Sequence, residues 1–385
     1  MFFRQLMRAA AFAGALLMPH MAMAQDTPPP VPEQAQLDIA IEKLATSLAS
    51  TYTDAAKAEE LAARVRARHA EGAYAGLNII DLAELLTADM RGVVNDKHMA
   101  VRAVPPGMTG GADAPEVPQE IVEAAMRERM GFRNYEIINV QRLDGNIGYL
   151  EIRGFPQASP ELRARYAAAF ELLKDTDGLI IDVRRNGGGD PNAVALLMSF
   201  LVEGRVHINS FIYRDASQNE EFWSDESAGP KYGKPVAVLI SAYTFSGGEE
   251  FAYDVQSLQR GRLFGRTTGG GANPVSGIDL IDGLVARIPF ASARNPITGA
   301  NWEGVGVKPE VDVDADVAFY EAHIFLLQSV LEVHKARGQR MADAGMMPAD
   351  AFVQGNEAVQ TEARAAIDAL LANPGRDLSV YQPPQ

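Results

Sequence analysis

The stretch Val236-Ala237-Val238-Leu239-Ile240-Ser241-Ala242-Tyr243-Thr244-Phe245-Ser246-Gly247-Gly248-Glu249-Glu250 carries the clearest chemical signal in the chain. A continuous apolar strand runs into a short turn, and a helix starts directly after it. That order places the Ser246 hydroxyl at the C-terminal edge of a sheet, where α/β folds locate their ligands. It also sets the hydroxyl at a helix N-terminus, whose dipole and free N–H groups favour developing negative charge. Gly247 and Gly248 leave the backbone bare, so a carbonyl oxygen could approach the N–H of Gly247. The chemistry this would serve is nucleophilic acyl transfer, although the G-x-S-x-G form of the nucleophile elbow is missing. Ser246-Gly247-Gly248-Glu249 is equally a capping box, serine as N-cap and glutamate at N3. The segment alone decides nothing.

A second segment offers company. Asp182-Val183-Arg184-Arg185-Asn186-Gly187-Gly188-Gly189 reads as a buried strand ending in three glycines, followed by another helix. Such a loop exposes N–H donors of the kind that hold an oxyanion. A plain glycine-rich βα turn is the competing reading. A phosphate loop is disfavoured, since neither G-x-x-x-x-G-K-[ST] nor G-x-G-x-x-G is present.

Elements that could position these segments follow from periodicity. Residues 1–24 read as an export signal: Arg4 and Arg8 precede the apolar run Ala9 to Met18, and Ala22-Met23-Ala24 fits a small-x-small cleavage site. Residues 25–34 form a Pro-rich leader. From Ala35 to about Arg91, apolar residues at helical spacing predict two or three amphipathic helices, the start of a helical lobe over 35–130. Met99 to Val104 alternates like a strand, and Pro105 to Pro118 reads as a polar loop before a short helix. From 131 to about 336, short strands alternate with helices, which predicts an α/β core with a largely parallel sheet. Its strands are expected at 137–140, 147–152, 178–183 and 235–241, completed by stretches near Leu280 to Phe290 and Val305 to Val313. A helix from Phe319 to Lys335 and a helical tail over 337–385 close the chain. No internal repeat is evident.

Composition narrows the function classes. The formal charge of −15 becomes −17 once Arg4 and Arg8 are removed with the signal, which argues against nucleic-acid binding. With no cysteine, disulfides, Cys-ligated zinc, thiol catalysis and lipid attachment are all excluded. No segment beyond the signal is apolar for the roughly 20 residues a membrane helix needs. No H-E-x-x-H or comparable spacing occurs, so no metal and no cofactor are expected. His69, His207, His323 and His334 lack a chemical context and read as structural.

Together the two glycine-flanked segments resemble the tail-specific and tricorn-like serine protease family (peptidase family S41), which also includes the interphotoreceptor retinoid-binding protein. Asp182 to Gly189 is similar to the family's D-[LV]-R-x-N-x-G-G loop, and Thr244 to Ala252 to its T-x-S-[AG]-x-E-x-F-A segment. Asn95-Asp96-Lys97-His98 resembles the D-[GK]-H element of the retinoid-binding branch. Trp302 to Glu310 resembles the terminal E-G-x-G-V-x-P-[DE] element. The four occur in the family's order between about Leu77 and Val313. The resemblance implies a helical lobe on a crotonase-like ββα-repeat core. It implies Ser246 as nucleophile, His98 as general base, Glu303 as the carboxylate orienting His98, and N–H groups of Gly188 and Gly247 as the oxyanion hole.

The processing branch of that family takes a lysine as base. Here no lysine occurs from Gly247 through Ala300, and Gly271 stands where the spacing would put it. Arg266 nearby keeps its proton and cannot serve. Tricorn-like members place a second serine beside the histidine, where this chain has Lys97. The stretch from His98 to Tyr149 is too short for an inserted PDZ domain, so tail capture through such a groove is not expected. The expected activity is peptide hydrolysis in the periplasm or outside the cell. A non-catalytic binder of apolar small molecules and an esterase-like acyl hydrolase stand as alternatives.

Overall fold

Apolar residues at three- and four-residue spacing build the first helices as expected. The computed structural model describes residues 28–105, 107, 109 and 118–383, so the signal segment and most of the Pro105–Pro118 loop lie outside the described residues. The helices are α1 Gln34–Thr51, α2 Ala55–Ala70, α3 Ile79–Arg91, α4 Gln119–Phe132, α5 Pro160–Leu173, α6 Pro191–Met198, α7 Gly247–Ser257, α8 Ala318–Ser329, α9 Leu331–Asp343 and α10 Ala351–Leu371. The strands are β1 Ala100–Ala103, β2 Ile137–Leu143, β3 Ile147–Ile152, β4 Gly178–Asp182, β5 His207–Tyr213, β6 Glu220–Trp223, β7 Val236–Ile240, β8 Arg262–Gly265, β9 Val275–Ile281, β10 Leu284–Pro289, β11 Ala291–Arg294 and β12 Val311–Asp312. The chain divides into two compact units. One comprises residues up to Val122 with Ser210–Glu220 and Gly271–Arg294; the other comprises Glu123–Asn209, Glu221–Gly270 and Asn295–Gln385.

In the first unit, α1 buries Leu37, Ala40, Ile41, Leu44 and Leu48 along one stripe. Asp54 caps α2 by accepting from Lys57 N–H, and Asn78 caps α3 through Ile80 and Asp81. These helices pack on an antiparallel sheet ordered β1-β10-β9, whose inward residues Val101, Leu280, Leu284, Ala286 and Ile288 join the helical core. The stretch from Leu280 to Phe290 therefore does not complete the α/β core as the sequence reading had it. It breaks at Asp282-Gly283 into a hairpin, Gly283 taking φ +81°, and pairs with β1 instead. Strand character was legible there; the partner was not, because pairing between distant segments is set by packing and not by local propensity.

The second unit is the expected α/β core. A six-stranded sheet runs β12-β8-β7-β4-β3-β2, parallel throughout except for the edge strand β2. Strands β4 and β7 are buried along their whole length, as a parallel sheet covered on both faces requires. Ile147, Ile180, Ala237, Leu239 and Phe264 meet Ala318, Ala322, Leu326 and Leu327 of α8 on one face. The helix expected from Phe319 to Lys335 is broken at Val330, which leaves helical geometry at φ −102°, ψ 8°. Beyond it, Ala363 and Ile367 of α10 pack on Val317 and Ile324, so the C-terminal helices belong to this core. No helix among the described residues is long and apolar enough to cross a membrane.

Candidate active site

The glycine-ended strand is anchored by a buried ion pair that sequence reasoning did not single out. Asp182, at the end of β4, accepts from Arg184 N–H at 3.0 Å, from Arg184 Nη2 at 2.6 Å and from the Tyr149 hydroxyl at 2.7 Å. Burial opposes ionisation of Asp182, but the Arg184 charge and these hydrogen bonds hold its carboxyl below the usual range. Arg184 also reaches Ala315 O at 2.6 Å and stacks over Tyr381. The loop leaving β4 is thereby held from three sides.

Asn186 continues the scaffold from within. It is fully buried, donates to Ile152 O at 3.1 Å, and accepts at its backbone oxygen from Phe245 N–H at 3.0 Å. Its side-chain oxygen accepts from Gly188 N–H at 2.8 Å. The amide expected of Gly188 as an oxyanion donor is thus engaged within the loop. Gly189 lies close to the other expected donor, since a Cβ on Gly247 would meet Gly189 N at 3.1 Å. The glycines are not interchangeable. Gly188 has φ +98°, and a Cβ there would lie 2.5 Å from Ser246 Cβ; Gly189 has φ +143°, and a Cβ would meet Phe155 O at 1.9 Å. Gly187 has open space around it.

Ser246 follows β7 and precedes α7 with φ 54° and ψ −124°. A non-glycine residue at positive φ outside the αL basin is strained, at about 1–3 kcal/mol. An ordinary N-cap is extended at negative φ, as Asp54 and Asn78 are. The turn below is tied by Thr244, which donates to Val183 O at 2.8 Å and accepts from Ser241 N–H at 3.0 Å.

Glu249 does more than serve the helix start. Its fully buried carboxylate accepts from Ser246 N–H at 3.0 Å, from Gly270 N–H at 2.6 Å and from the Thr268 hydroxyl. Gly270 O in turn accepts from Gly304 N–H at 3.0 Å, and Val307 N–H donates to Thr268 at 2.7 Å. One carboxylate therefore ties the turn carrying Ser246 to the loop carrying Glu303. The serine–glutamate spacing pointed to a cap; the further partners come from residues about twenty positions away.

Glu250, the next residue in the first turn of α7, is buried as well. It shares one face of α7 with Asp254, where like charges four residues apart repel. Burial, and then the Asp190 charge, push the Glu250 carboxyl up to about 8, while the Asn209 side chain works the other way. Asp254 is raised by burial and by Glu250. The folded state thus holds protons that the unfolded chain releases near pH 4.5, and this contribution to stability is lost as pH rises toward 8. We expect a lower melting temperature at pH 8.5 than at pH 5.5. Glu250→Gln should flatten that dependence and raise Tm at pH 8.5 by about 3–6 °C in differential scanning calorimetry. An unchanged slope would place the titrating groups elsewhere.

His98 lies in the first unit, on the turn between α3 and β1. Its backbone N–H donates to Asp96 Oδ1 at 3.0 Å, and Asn273 donates to Asp96 Oδ2 at 2.9 Å. Arg91 clamps the turn through Lys97 O at 2.8 Å and Met99 O at 3.0 Å. Burial, then the charges of Arg287 and Arg91, depress the imidazole to about 3, so it is neutral at pH 7. The other histidines among the described residues have structural partners: His69 meets Asp38, His207 stacks on Trp223, His323 meets Asp144 O and His334 meets Asp177.

The structure therefore sets a strained serine between a buried parallel strand and a helix of an α/β unit, backed by a glycine loop. Residues 146–313, less than half of the chain, match the model of Peptidase family S41. Among curated relatives, a chloroplastic C-terminal processing peptidase from Tetradesmus obliquus is 27% identical over 173 residues, 44% of this chain and 36% of the relative. A tail-specific protease from Haemophilus influenzae is 33% identical over 126 residues, 32% of this chain and 17% of the relative. These alignments span well under two thirds of either relative. The structure of a lipoprotein from Streptococcus agalactiae superposes with a TM-score of 0.52 over 77% of this chain and 97% of that one, at 13% identity, a likeness of fold alone.

Proposed function

We propose that this chain is a serine-type peptidase that cleaves peptide bonds through an acyl-enzyme on Ser246. The observation that carries the reading is the backbone of Ser246, strained at φ 54° and pressed against Gly188. A residue that only starts a helix gains nothing from that geometry. In the proposed mechanism Ser246 Oγ attacks the carbonyl carbon as His98 takes its proton. The oxyanion forms against Gly247 N–H. Gly188 N–H joins it if the Asn186 bond is exchanged, and Gly189 N–H is the neighbouring donor that needs no such exchange. His98 then passes the proton to the leaving nitrogen, and water repeats the cycle on the ester.

His98, neutral at pH 7, is in the right state to accept a proton but is a weak base when its pKa is near 3. A carboxylate that stabilises the imidazolium is then required, and Glu303 takes that role in the proposal. Glu249 positions and does not react. Substrates are peptides or proteins, and the expected export signal would place them in the periplasm or outside the cell.

The test is covalent labelling by a fluorophosphonate, followed by intact mass. Wild type should gain one label, and His98→Ala should slow labelling by about 10²–10⁴-fold, the ordinary value of general-base help. Because the imidazole stays neutral down to about pH 3, the wild-type rate should hold between pH 7 and 5 and fall only below that. Labelling of His98→Ala at the wild-type rate would remove His98 from the mechanism.

A further inference from the structure

Ser246 is strained, and a strained backbone persists only where its surroundings over-determine it. Two ties to its turn come from the loop leaving β4: Thr244 donates to Val183 O at 2.8 Å, and Phe245 N–H donates to Asn186 O at 3.0 Å. A third segment, distant from both in the sequence, reaches the same turn. After α10, Arg376 forms ion pairs with Asp314 and Asp316. Ser379 N–H then donates to Asp377 Oδ1 at 2.8 Å, and Tyr381 N–H closes one turn of 3-10 helix on Leu378 O at 3.0 Å. The Tyr381 carbonyl is left facing the Ser246 turn, where it accepts from Tyr243 N–H at 2.8 Å.

These contacts form a closed circuit. Tyr243 N–H also reaches Ser241 Oγ at 3.1 Å, and the Ser241 hydroxyl donates to Arg184 O. Arg184 Nη1 in turn donates to the Tyr381 hydroxyl at 3.3 Å, and its guanidinium lies 5.0 Å from the centre of the Tyr381 ring. A guanidinium can stack on an aromatic face while its N–H groups bond elsewhere, here to Asp182 and Ala315 O. Tyr381 thus holds the loop leaving β4 by its side chain and the turn after β7 by its backbone. The segment buries little of itself: Ser379, Val380 and Gln382 are exposed and Tyr381 is half-buried. Small apolar burial adds little to global stability, so these contacts act locally.

We propose that Tyr381 is a positioning residue, and that residues 376–381 form a strap holding the turn of Ser246 in its strained conformation. The effect on rate rests on the peptidase reading above; the tie itself does not. Displacing the strap relaxes the turn and moves Ser246 Oγ off its line of attack, while the core of the unit stays as it is.

A chain ending at Asp377 keeps the Arg376 ion pairs and loses every Tyr381 contact. Its hydrogen exchange should rise about tenfold in residues 241–247 and stay unchanged in β4, with Tm within about 2 °C of the full chain. On a cleaved peptide, kcat should fall about ten- to a hundredfold at nearly constant KM, the ordinary cost of a displaced reacting group. Tyr381→Ala, which keeps the carbonyl, should lose part of that rate. Tyr381→Phe, which keeps the ring as well, should recover most of what the alanine loses. A merely structural segment would give a lower Tm, faster exchange throughout the unit and an unchanged kcat per labelled site. That pattern overturns the strap, as does equal exchange of 241–247 in the two chains or an unchanged kcat in an active enzyme. Exchange can be read whether or not the chain hydrolyses peptides. A full chain that takes no fluorophosphonate label defeats the peptidase reading instead, and exchange alone then decides the strap.

Discussion

Replacing Ser246 with alanine should remove hydrolysis, with kcat/KM for a cleaved peptide falling about 10⁴–10⁶-fold. The melting temperature should stay close to that of wild type. The Glu249 carboxylate accepts from the Ser246 backbone N–H, which alanine keeps, and the positive φ burdens alanine no more than serine. A helix cap predicts the opposite pattern. Losing a serine N-cap costs about 0.5–2 kcal/mol of stability and nothing in chemistry. Steady-state hydrolysis of a peptide library beside calorimetry therefore separates the two readings in one variant. Retained turnover with a lowered Tm would reduce Ser246 to the first residue of α7.

Gly188→Ala should be damaging out of proportion to the single methyl it adds. At φ +98° alanine is strained whatever the space around it, and the new Cβ would lie 2.5 Å from Ser246 Cβ and 2.8 Å from Gly247 N. Backbone must shift, and it is the backbone that carries Ser246 and the Gly247 N–H. A misplaced donor of this kind costs about 10²–10³ in kcat, so at least that loss is expected, with a fall in Tm from the strain. Gly187→Ala is the built-in control. Its neighbour-free position, outside the positive-φ region, should accept a methyl with unchanged activity and equal or slightly higher Tm. Equal behaviour of the two variants would mean that the contact between Gly188 and Ser246 is not a feature of the folded protein.

Much of the core could be read directly. The apolar runs at Gly178–Asp182 and Val236–Ile240, the glycines after the first and the serine after the second, appear as buried strands leading into the loops expected of them. Local rules suffice there, because a strand buried on both faces must be apolar throughout and a helix must begin with a cap or its equivalent. What could not be read shares one cause. Glu249 and Glu250 are neighbours in the first turn of α7. One tethers Thr268 and Gly270, while the other lies with Asp254 where water does not reach. Arg184 read as part of a motif, yet it is buried between Asp182 and Tyr381, and Tyr149 donates to the same Asp182 carboxylate.

By itself the sequence determined the strands and helices that flank the two glycine segments, the absence of lysine from Gly247 through Ala300, and the side chains able to do chemistry. Periodicity, glycine placement and composition are local quantities. The tertiary structure alone decided that 284–289 pairs with β1, that Ser246 is held at positive φ, and which amide of the Gly187–Gly189 loop is already engaged. Those outcomes depend on segments far apart in the chain meeting, and on how much water their packing excludes. Neither is encoded in any single stretch of residues.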